Sequence, residues 1–581
     1  MIKDQIREDA RYHLFDLLKS FEGDKTIVWD RALMNPMEII VTGSEIKEYG
    51  LMTILGDERG SSPGARRNII FLVRPTLTNM DLIADYIKQG SDAPDDYHII
   101  CVPRKSILCE ERLFCNLENQ ESTSFHSLPI YLFPMNYDLF SMEITSSFKE
   151  IVDEDSTSLQ YAAMSLKRIQ EILGVIPEVY GKGIAARKVF EIMEKKKKEA
   201  FGTKYPTLPT FDSMVLIDRS VDLISPLPTQ YTYEGLLDEM IGIECGVLNI
   251  ADEEGKEIKA SSSEELYQEL QGLHFNAVGS ILKEKLDYIK SVHEKTEELS
   301  IQEIKELTQG EELKDVKKIK PQIDNHTALT KILKKGIKNG LESVIKLEHL
   351  IIREGSFGGL YKTEVEDLVM ADTVPVIKII RLICLQSVVC GGLNPQEFEK
   401  YRRLLLENYG YNILLTLDAY SDAGLLITNT KKSSFKAISD RLGLRVDKVD
   451  YKNPEDIAYV HTMYAPLSVK IVQHTENSGW NKIKDILDLL PGPTFEESQE
   501  MLYERDRKIV LVYFIGGVTM AEIAALRFLS KQEDSNVKYI IFTTSIITGD
   551  RLIRSLDHNL PKNPEDKLEE LKTPDPIHLE D

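Results

Sequence analysis

The sequence predicts two parallel-sheet α/β domains with a large all-α block inserted into the second. Three observations predict it. Short apolar runs, the wholly apolar Met214-Val215-Leu216-Ile217 and the core strand Lys508 to Ile515 among them, end in charged or glycine turns, as buried parallel strands do. Helical segments alternate with such runs at both ends of the chain. From Glu264 to about residue 490 the strand pattern is lost and apolar residues recur three and four apart. The limits that follow are 1–145 for the first α/β domain and 146–246 with 491–581 for the split second one. Residues 247–355 form a helical part with a long hairpin, and 356–490 a second helical part.

Residues 1–22 carry the charged, amphipathic pattern of a helix, unlike a secretory signal. Strands follow at Lys25–Asp30, Asn68–Val73 and Tyr97–Val102, the latter two closed by Arg74-Pro75 and Pro103-Arg104, with a helix from Asn79 to Gln89. Pro129 to Pro134 reads as a further strand, and Ser158–Leu173 as a helix. Gly181-Lys182-Gly183 is not a phosphate loop: that motif is G-x-x-x-x-G-K-[ST], and Gly183 stands where its magnesium-binding hydroxyl belongs. The glycines make the turn into a helix over Ala185–Lys198, whose Lys195–Lys198 run is a solvated face.

The stretch Ser213 to Gly242 is the pivot of the chain. Its strand delivers Asp218 and Arg219 to a carboxyl end, where open α/β sheets bind ligands. Pro226 and Pro228 break regular structure, and Thr232 caps a helix from Tyr233 that Gly242 stops. Asp218 with Asp222 is a possible carboxylate pair, yet no catalytic partner accompanies it. A structural pairing of Asp218 with Arg219, holding two segments together, outweighs a catalytic role.

Residues 250–262 read as a polar loop. Two long amphipathic helices follow, one striped by Phe275, Val278, Leu282, Leu286 and Ile289, the other by Leu329, Leu333, Ile337, Leu341, Val344, Leu347 and Ile351. The stripes pack chiefly against each other, but such a hairpin also suits a partner helix. Between them a charged tip spans about 295–326 and contains Gly310 and Pro321. Val374–Val389 is a buried helix; Leu404–Asn408, Tyr411–Ala419 and Ile457–Val472 are further helices, and Thr428–Ser434 is a lysine-rich loop. Pro491-Gly492-Pro493 marks the return to α/β. After the strand Lys508–Ile515, Gly516-Gly517 turns the chain, Thr519 caps a helix over Ala521–Leu529, and Val537–Thr543 is a strand. The G-x-G-x-x-G fingerprint is missing, so the paired glycines serve close packing.

Composition narrows the function. The chain has 581 residues, 42% hydrophobic and 28% charged, and its net charge of −23 opposes nucleic-acid binding, which needs clustered Lys and Arg. Cys101, Cys109, Cys115, Cys245, Cys384 and Cys390 form no CxxC pair and fit free thiols in a reducing compartment. No window approaches a membrane span. Catalytic and metal motifs are missing, so no cofactor and no enzymatic activity is expected.

The run LIDRSVDLISPL at 216–227 with QYTYEGLLDE at 230–239 resembles the signature of the Sec/Munc (SM) family of SNARE-binding proteins. Asp218, Arg219, Asp222 and Pro226 are its matching positions. Stretches at 27–30 (IVWD), 68–75 (NIIFLVRP), 100–113, 464–470 (YAPLSVK), 490–497 and 516–530 resemble the vacuolar and lysosomal class C vacuolar-protein-sorting branch. The resemblance implies an arch-shaped SM fold and a non-enzymatic protein that templates or protects SNARE complex assembly in endosome, lysosome or vacuole fusion. It implies a subunit of HOPS or CORVET tethers, cytoplasmic and peripheral on late endosome, lysosome or vacuole membranes, touching membrane only indirectly. Leu329, Leu333, Ile337, Leu341 and Val344 are then the candidate SNARE contacts. Phe435 and Ile438, beyond Gly424-Leu425-Leu426, are the candidate contacts for a class C tether subunit, with anchoring of a loop to the core as the competing reading. A purely structural tether subunit is the alternative, and a nucleotide-using enzyme a weaker one.

Overall fold

The strand Asn68–Val73 is buried at every residue, as the apolar run that follows Asn68 requires of a strand covered on both faces. It belongs to a computed structural model that describes residues 2–56, 68–89, 96–117, 123–200, 206, 208–251, 255–297, 311–355, 361–371, 374–428, 433–498 and 505–556. The chain divides into two units. One comprises 1–144, 157–176 and 189–211; the other comprises 145–156, 177–188 and 212–581.

In the first unit, helix α1 (Ile2–Ser20) buries Ile6, Ala10, Leu14 and Leu18, one residue per turn. Five parallel strands follow: β1 (Lys25–Trp29), β2 (Leu51–Ile54), β3 (Asn68–Val73), β4 (Asp96–Cys101) and β5 (Thr123–Ser127), in the order β2-β1-β3-β4-β5. Helices α2 (Leu77–Lys88) and α3 (Ile107–Asn116) follow β3 and β4. Thr76 caps α2, accepting from Asn79 N. The expected strand at Pro129–Pro134 does not form. Phe133 alone bridges to Ser141 of the short strand β6 (Leu139–Ser141), because the prolines at either end have no N–H to donate.

The second unit contains a sheet in which β7 (Glu178–Lys182), β8 (Ser213–Asp218), β12 (Lys508–Ile515) and β13 (Val537–Thr543) run parallel, with β11 (Thr494–Ser498) antiparallel on β7. The central strand β8 pairs Met214 with Val179 on one side and Leu511 on the other, so strands from both sides of the helical block share one sheet.

The block begins with helix α4 (Tyr233–Met240), capped by Thr232. Residues 250–262 are not a plain loop: β9 (Val247–Ala251) and β10 (Glu257–Ser261) pair antiparallel, burying Leu248, Ile258 and Ala260 at alternate positions. Helix α5 (Phe275–Glu297) packs on α6 (Glu311–Gly336); a single π turn at Ile337–Leu341 joins α6 to α7 (Glu342–Glu354). Part of the expected tip, 298–310, lies outside the described residues, and from Glu311 its remainder is helix with Pro321 inside. Helix α8 (Val376–Cys390) is almost wholly buried. Helices α9 (Phe435–Leu442) and α10 (Leu467–Ser478) precede β11; α11 (Met520–Lys531) follows β12 and α12 (Gly549–Leu556) follows β13. All six cysteines are free thiols, four of them buried.

Candidate functional site

Asp218 and Arg219 close β8, and the structure separates their tasks. Asp218 Oδ1 accepts from Ser220 N (2.9 Å), and its Oδ2 accepts from Ala185 N (2.7 Å). Gly183 adopts φ +108°, and a side chain there would run into Asp218, so this glycine is required by both backbone and space. The two residues do not pair with each other. Arg219, 1% exposed, donates Nη1 to both carboxylate oxygens of Glu522 (2.9 and 3.0 Å) and Nε to the Asp222 carbonyl (2.9 Å). Its Nη2 lies 3.5 Å from Asp222 Oδ2.

Asp222 accepts from Ser225 N (3.0 Å), the Ser225 hydroxyl (2.5 Å) and Ser468 N (2.8 Å) at the start of α10. Glu522 accepts from the hydroxyl of Ser468 (2.5 Å) and from the N–H and hydroxyl of Thr519 (2.9 Å each). One buried network thus fastens the end of β8 to the first turns of α10 and α11. Burial of unpaired charge is costly, so each acid here is held by several donors. Pro226 lies in the loop that follows, its carbonyl close against Gly549.

A second network ties α4, α8 and α12. Arg381 on α8 pairs with Glu239, reaches Asp550 Oδ1 (2.8 Å) and donates Nε to the Leu227 carbonyl (2.8 Å). Lys378 joins Asp550 (2.8 Å) and Glu239 (3.2 Å). Burial opposes ionisation of Glu239, yet Arg381 and Lys378 hold its carboxyl below the ordinary range. Glu348, taking both its hydrogen bonds from Thr229, is pushed up to about 7 by burial.

The places where α/β sheets hold phosphate are already filled. Two of the first N–H groups of α11 go to protein acceptors, Ala521 to Gln230 Oε1 (2.8 Å) and Glu522 to Thr519 Oγ1 (3.2 Å), and so are not offered to an anion. Lys182 Nζ donates to the Gly492 carbonyl (2.6 Å) and Thr494 Oγ1 (3.1 Å). In the first unit the order β2-β1-β3-β4-β5 puts the switch point between β1 and β3. There Asp30 accepts from Ala32 N, Arg74 N and Asn79 Nδ2 (2.8–3.0 Å), an acidic filling that repels phosphate. Among the described residues no three metal-ligating side chains gather.

The hairpin residues fall into two classes. Leu329, Leu333 and Val344 are at most 1% exposed; the first two belong to a core with Leu236, Leu270, Val278, Leu282 and Ile323. Ile337 and Leu341 bound the π turn and are half-buried, and Tyr288 on α5 is 51% exposed. Phe435 and Ile438 lie on the inner face of α9 at 4% and 5% exposure, Phe435 packing by Gly355 with the Arg445 guanidinium 5.9 Å from its ring. The outer face of α9 presents Lys436, Ala437, Asp440 and Arg441. Sequence reasoning missed Glu522, Ser468 and the Arg381 network. The first two lie within quoted stretches, 516–530 and 464–470, but nothing local joins them to Arg219.

Comparison with known proteins places these features in a wider set. The model of the Sec1 family matches residues 25–555. The chain is 37% identical over 585 residues to vacuolar protein sorting-associated protein 33A of Rattus norvegicus, covering 95% of this chain and 97% of that one. To the vacuolar protein-sorting-associated protein 33 homolog of Arabidopsis thaliana it is 33% identical over 594 residues, covering 96% and 97%. Among solved structures, the SM protein Vps45 in complex with the Qa SNARE Tlg2 aligns with TM-score 0.62 at 16% identity, over 96% of this chain and 98% of that one. The Unc18–syntaxin 1 complex from Monosiga brevicollis aligns with TM-score 0.60 at 16% identity, over 95% and 98%. At such identities the structural likeness speaks for the fold.

Proposed function

The chain belongs to the Sec1 family, and on that premise we propose that it is a SNARE-binding protein of membrane fusion at endosomes, lysosomes or vacuoles, working as a subunit of a class C tether such as HOPS or CORVET. The observation that carries this reading is likeness to vacuolar protein sorting proteins along nearly the full length of both chains. The solved SM relatives, described as complexes with a Qa SNARE or a syntaxin, support the SNARE half. Among the described residues no helix is long and apolar enough to cross a membrane, so the reading places the protein on membranes through partners. It is non-enzymatic in this reading, because donors placed where phosphate would bind are engaged by the chain's own acceptors and acids.

The hairpin of α5 and α6–α7 is the proposed SNARE surface. Its buried stripe, Leu329, Leu333 and Val344, sets the hairpin's shape, and Ile337, Leu341 and Tyr288 offer apolar contact to an amphipathic helix. The test is titration of the full-length protein with isolated SNARE motifs, for wild type and for Tyr288→Asp with Leu341→Asp. The expected result is saturable wild-type binding, weakened about tenfold or more in the variant, with melting unchanged. No binding to any SNARE motif by a well-folded protein that still joins its tether sinks the SNARE half and leaves the structural-subunit reading.

A further inference from the structure

Helix α6 carries a charge distribution that the apolar contacts of the hairpin do not explain. The chain's net charge is −23, yet residues 317–338 hold seven lysines and one acid, Asp324. Lys331, Lys334, Lys335 and Lys338 stand at i, i+3, i+4 and i+7, so they share one helical face over about two turns, roughly 10 Å. All four are exposed. Like charges three and four residues apart repel and weaken a helix. Neither usual compensation is present. The chain's other lysine run, on the helix Ile184–Glu199, is balanced within that helix, Lys196 by Glu199 and Lys197 by Glu194 (2.7 Å each). Among the described residues no carboxylate pairs with Lys331, Lys334 or Lys338; Glu342, which feels Lys338, pairs instead with Lys346 (2.8 Å). A free helix C-terminus would favour cations, but the π turn carries α6 on into α7, so these lysines lie inside one continuous helical run.

We propose that this stripe selects the charge of the helix that the hairpin holds: the partner is an amphipathic helix with acidic residues flanking its apolar face. The proposal rests on the hairpin being a partner surface and adds the partner's chemistry to it. Ile337, three residues beyond Lys334, lies beside the stripe, and Leu341 closes the π turn; both are half-buried. A partner's apolar side chains meet these two while its carboxylates, spaced three and four apart, face the ammoniums. An anionic membrane fits less well. The chain as a whole is acidic and would be repelled by it, whereas a single bound helix lies within a screening length, about 8 Å, of the stripe. Among its described residues α6 also exposes no large apolar side chain of the kind a membrane-surface helix inserts. Exposed as they are, the lysines act as guides: they speed encounter and set register more than they slow release.

The experiment measures binding of the full-length protein to two synthetic amphipathic helical peptides with the same leucine face, one flanked by glutamates and the other by glutamines, and to vesicles of anionic lipid. Wild type is compared with a triple variant, Lys331→Gln, Lys334→Gln and Lys338→Gln; these side chains are exposed, so melting should be unchanged. Wild type should bind the glutamate peptide about tenfold more tightly than the glutamine peptide, chiefly through faster association. That preference should shrink as salt rises from about 0.05 to about 0.3 M. It should vanish in the triple variant, whose binding of the glutamine peptide stays at the wild-type level. Equal binding of the two peptides by wild type, binding of neither, an undiminished preference in the variant, or lysine-dependent capture by vesicles in place of peptide overturns the proposal. The SNARE reading fails separately: a protein with the glutamate preference that binds no isolated SNARE motif keeps its acidic-helix site and loses the SNARE assignment.

Discussion

Arg219 is sealed from solvent among two carboxylates, so removing it leaves Asp222 and Glu522 buried without their cation. Breaking such a pair by one partner costs about 3–5 kcal/mol. Arg219→Met should therefore lower denaturant stability by about that much, while the double variant with Glu522→Gln should lose less than the two single variants summed. Additive losses would show that the pair is not coupled. Buried imidazoles set a pH dependence of their own. Burial holds His274, His326 and His349 near 4. A group depressed in the fold contributes its full stability above its unfolded value and loses it on the way down, here from about 6.5 to about 4, at roughly 1.4 kcal/mol per pH unit each. Glu348 acts oppositely: raised to about 7, it loses stability as pH climbs from the ordinary carboxylate range to that value. Three groups outweigh one, so the contribution of these four peaks at about pH 6.5. Melting across pH 4.5–8 checks this, and a curve still rising at pH 8 contradicts it.

At the scale of elements, the wholly apolar strands and the capped helices were legible because their patterns are local. The run at 213–218 declares a buried strand, and Thr232 and Thr519 declare the caps that α4 and α11 use. The β9–β10 hairpin gives little sequence signal because polar residues interleave with Leu248, Ile258 and Ala260, a period of two that is faint over five residues. The strand Thr-Ser-Phe-His-Ser of β5 offers almost no apolar signal. Candidate contacts were the hardest to read, since helical periodicity marks a face that is buried without saying what buries it. Leu329 and Leu333 are covered by the chain's own core, and so is the inner face of α9. This moves the test of tether docking to the outer face. Ala437→Arg should keep the wild-type melting temperature and cost about thirtyfold or more in affinity for the tether subunit. Phe435→Asp, which buries a charge, should instead lower the melting temperature by several degrees. Wild-type co-purification of Ala437→Arg would move the docking surface away from α9.

At the scale of the whole molecule, the second unit takes a strand from each side of its helical block and joins them through Arg219, Ser468 and Glu522. No local signal announces that closure; it follows only once β8 and β12 are neighbours. A chain cut after residue 490 should keep secondary structure but expose the apolar edge of β8, and exposed edges of that kind self-associate. Light scattering of the truncated chain beside the full one checks this: a monodisperse truncated monomer would mean that β8 does not need β12.

The same arrangement sets a clock on the ribosome. Strand β8 ends at Asp218 and its neighbour β12 begins at Lys508. At about 5–20 residues per second, translating what lies between takes roughly 15–60 s. Throughout that interval a strand with a wholly apolar centre has one side unclaimed while the helical block folds beyond it. Nascent chains stalled within the block should therefore be rich in bound chaperone, and those stalled after β12 has emerged should be nearly free of it.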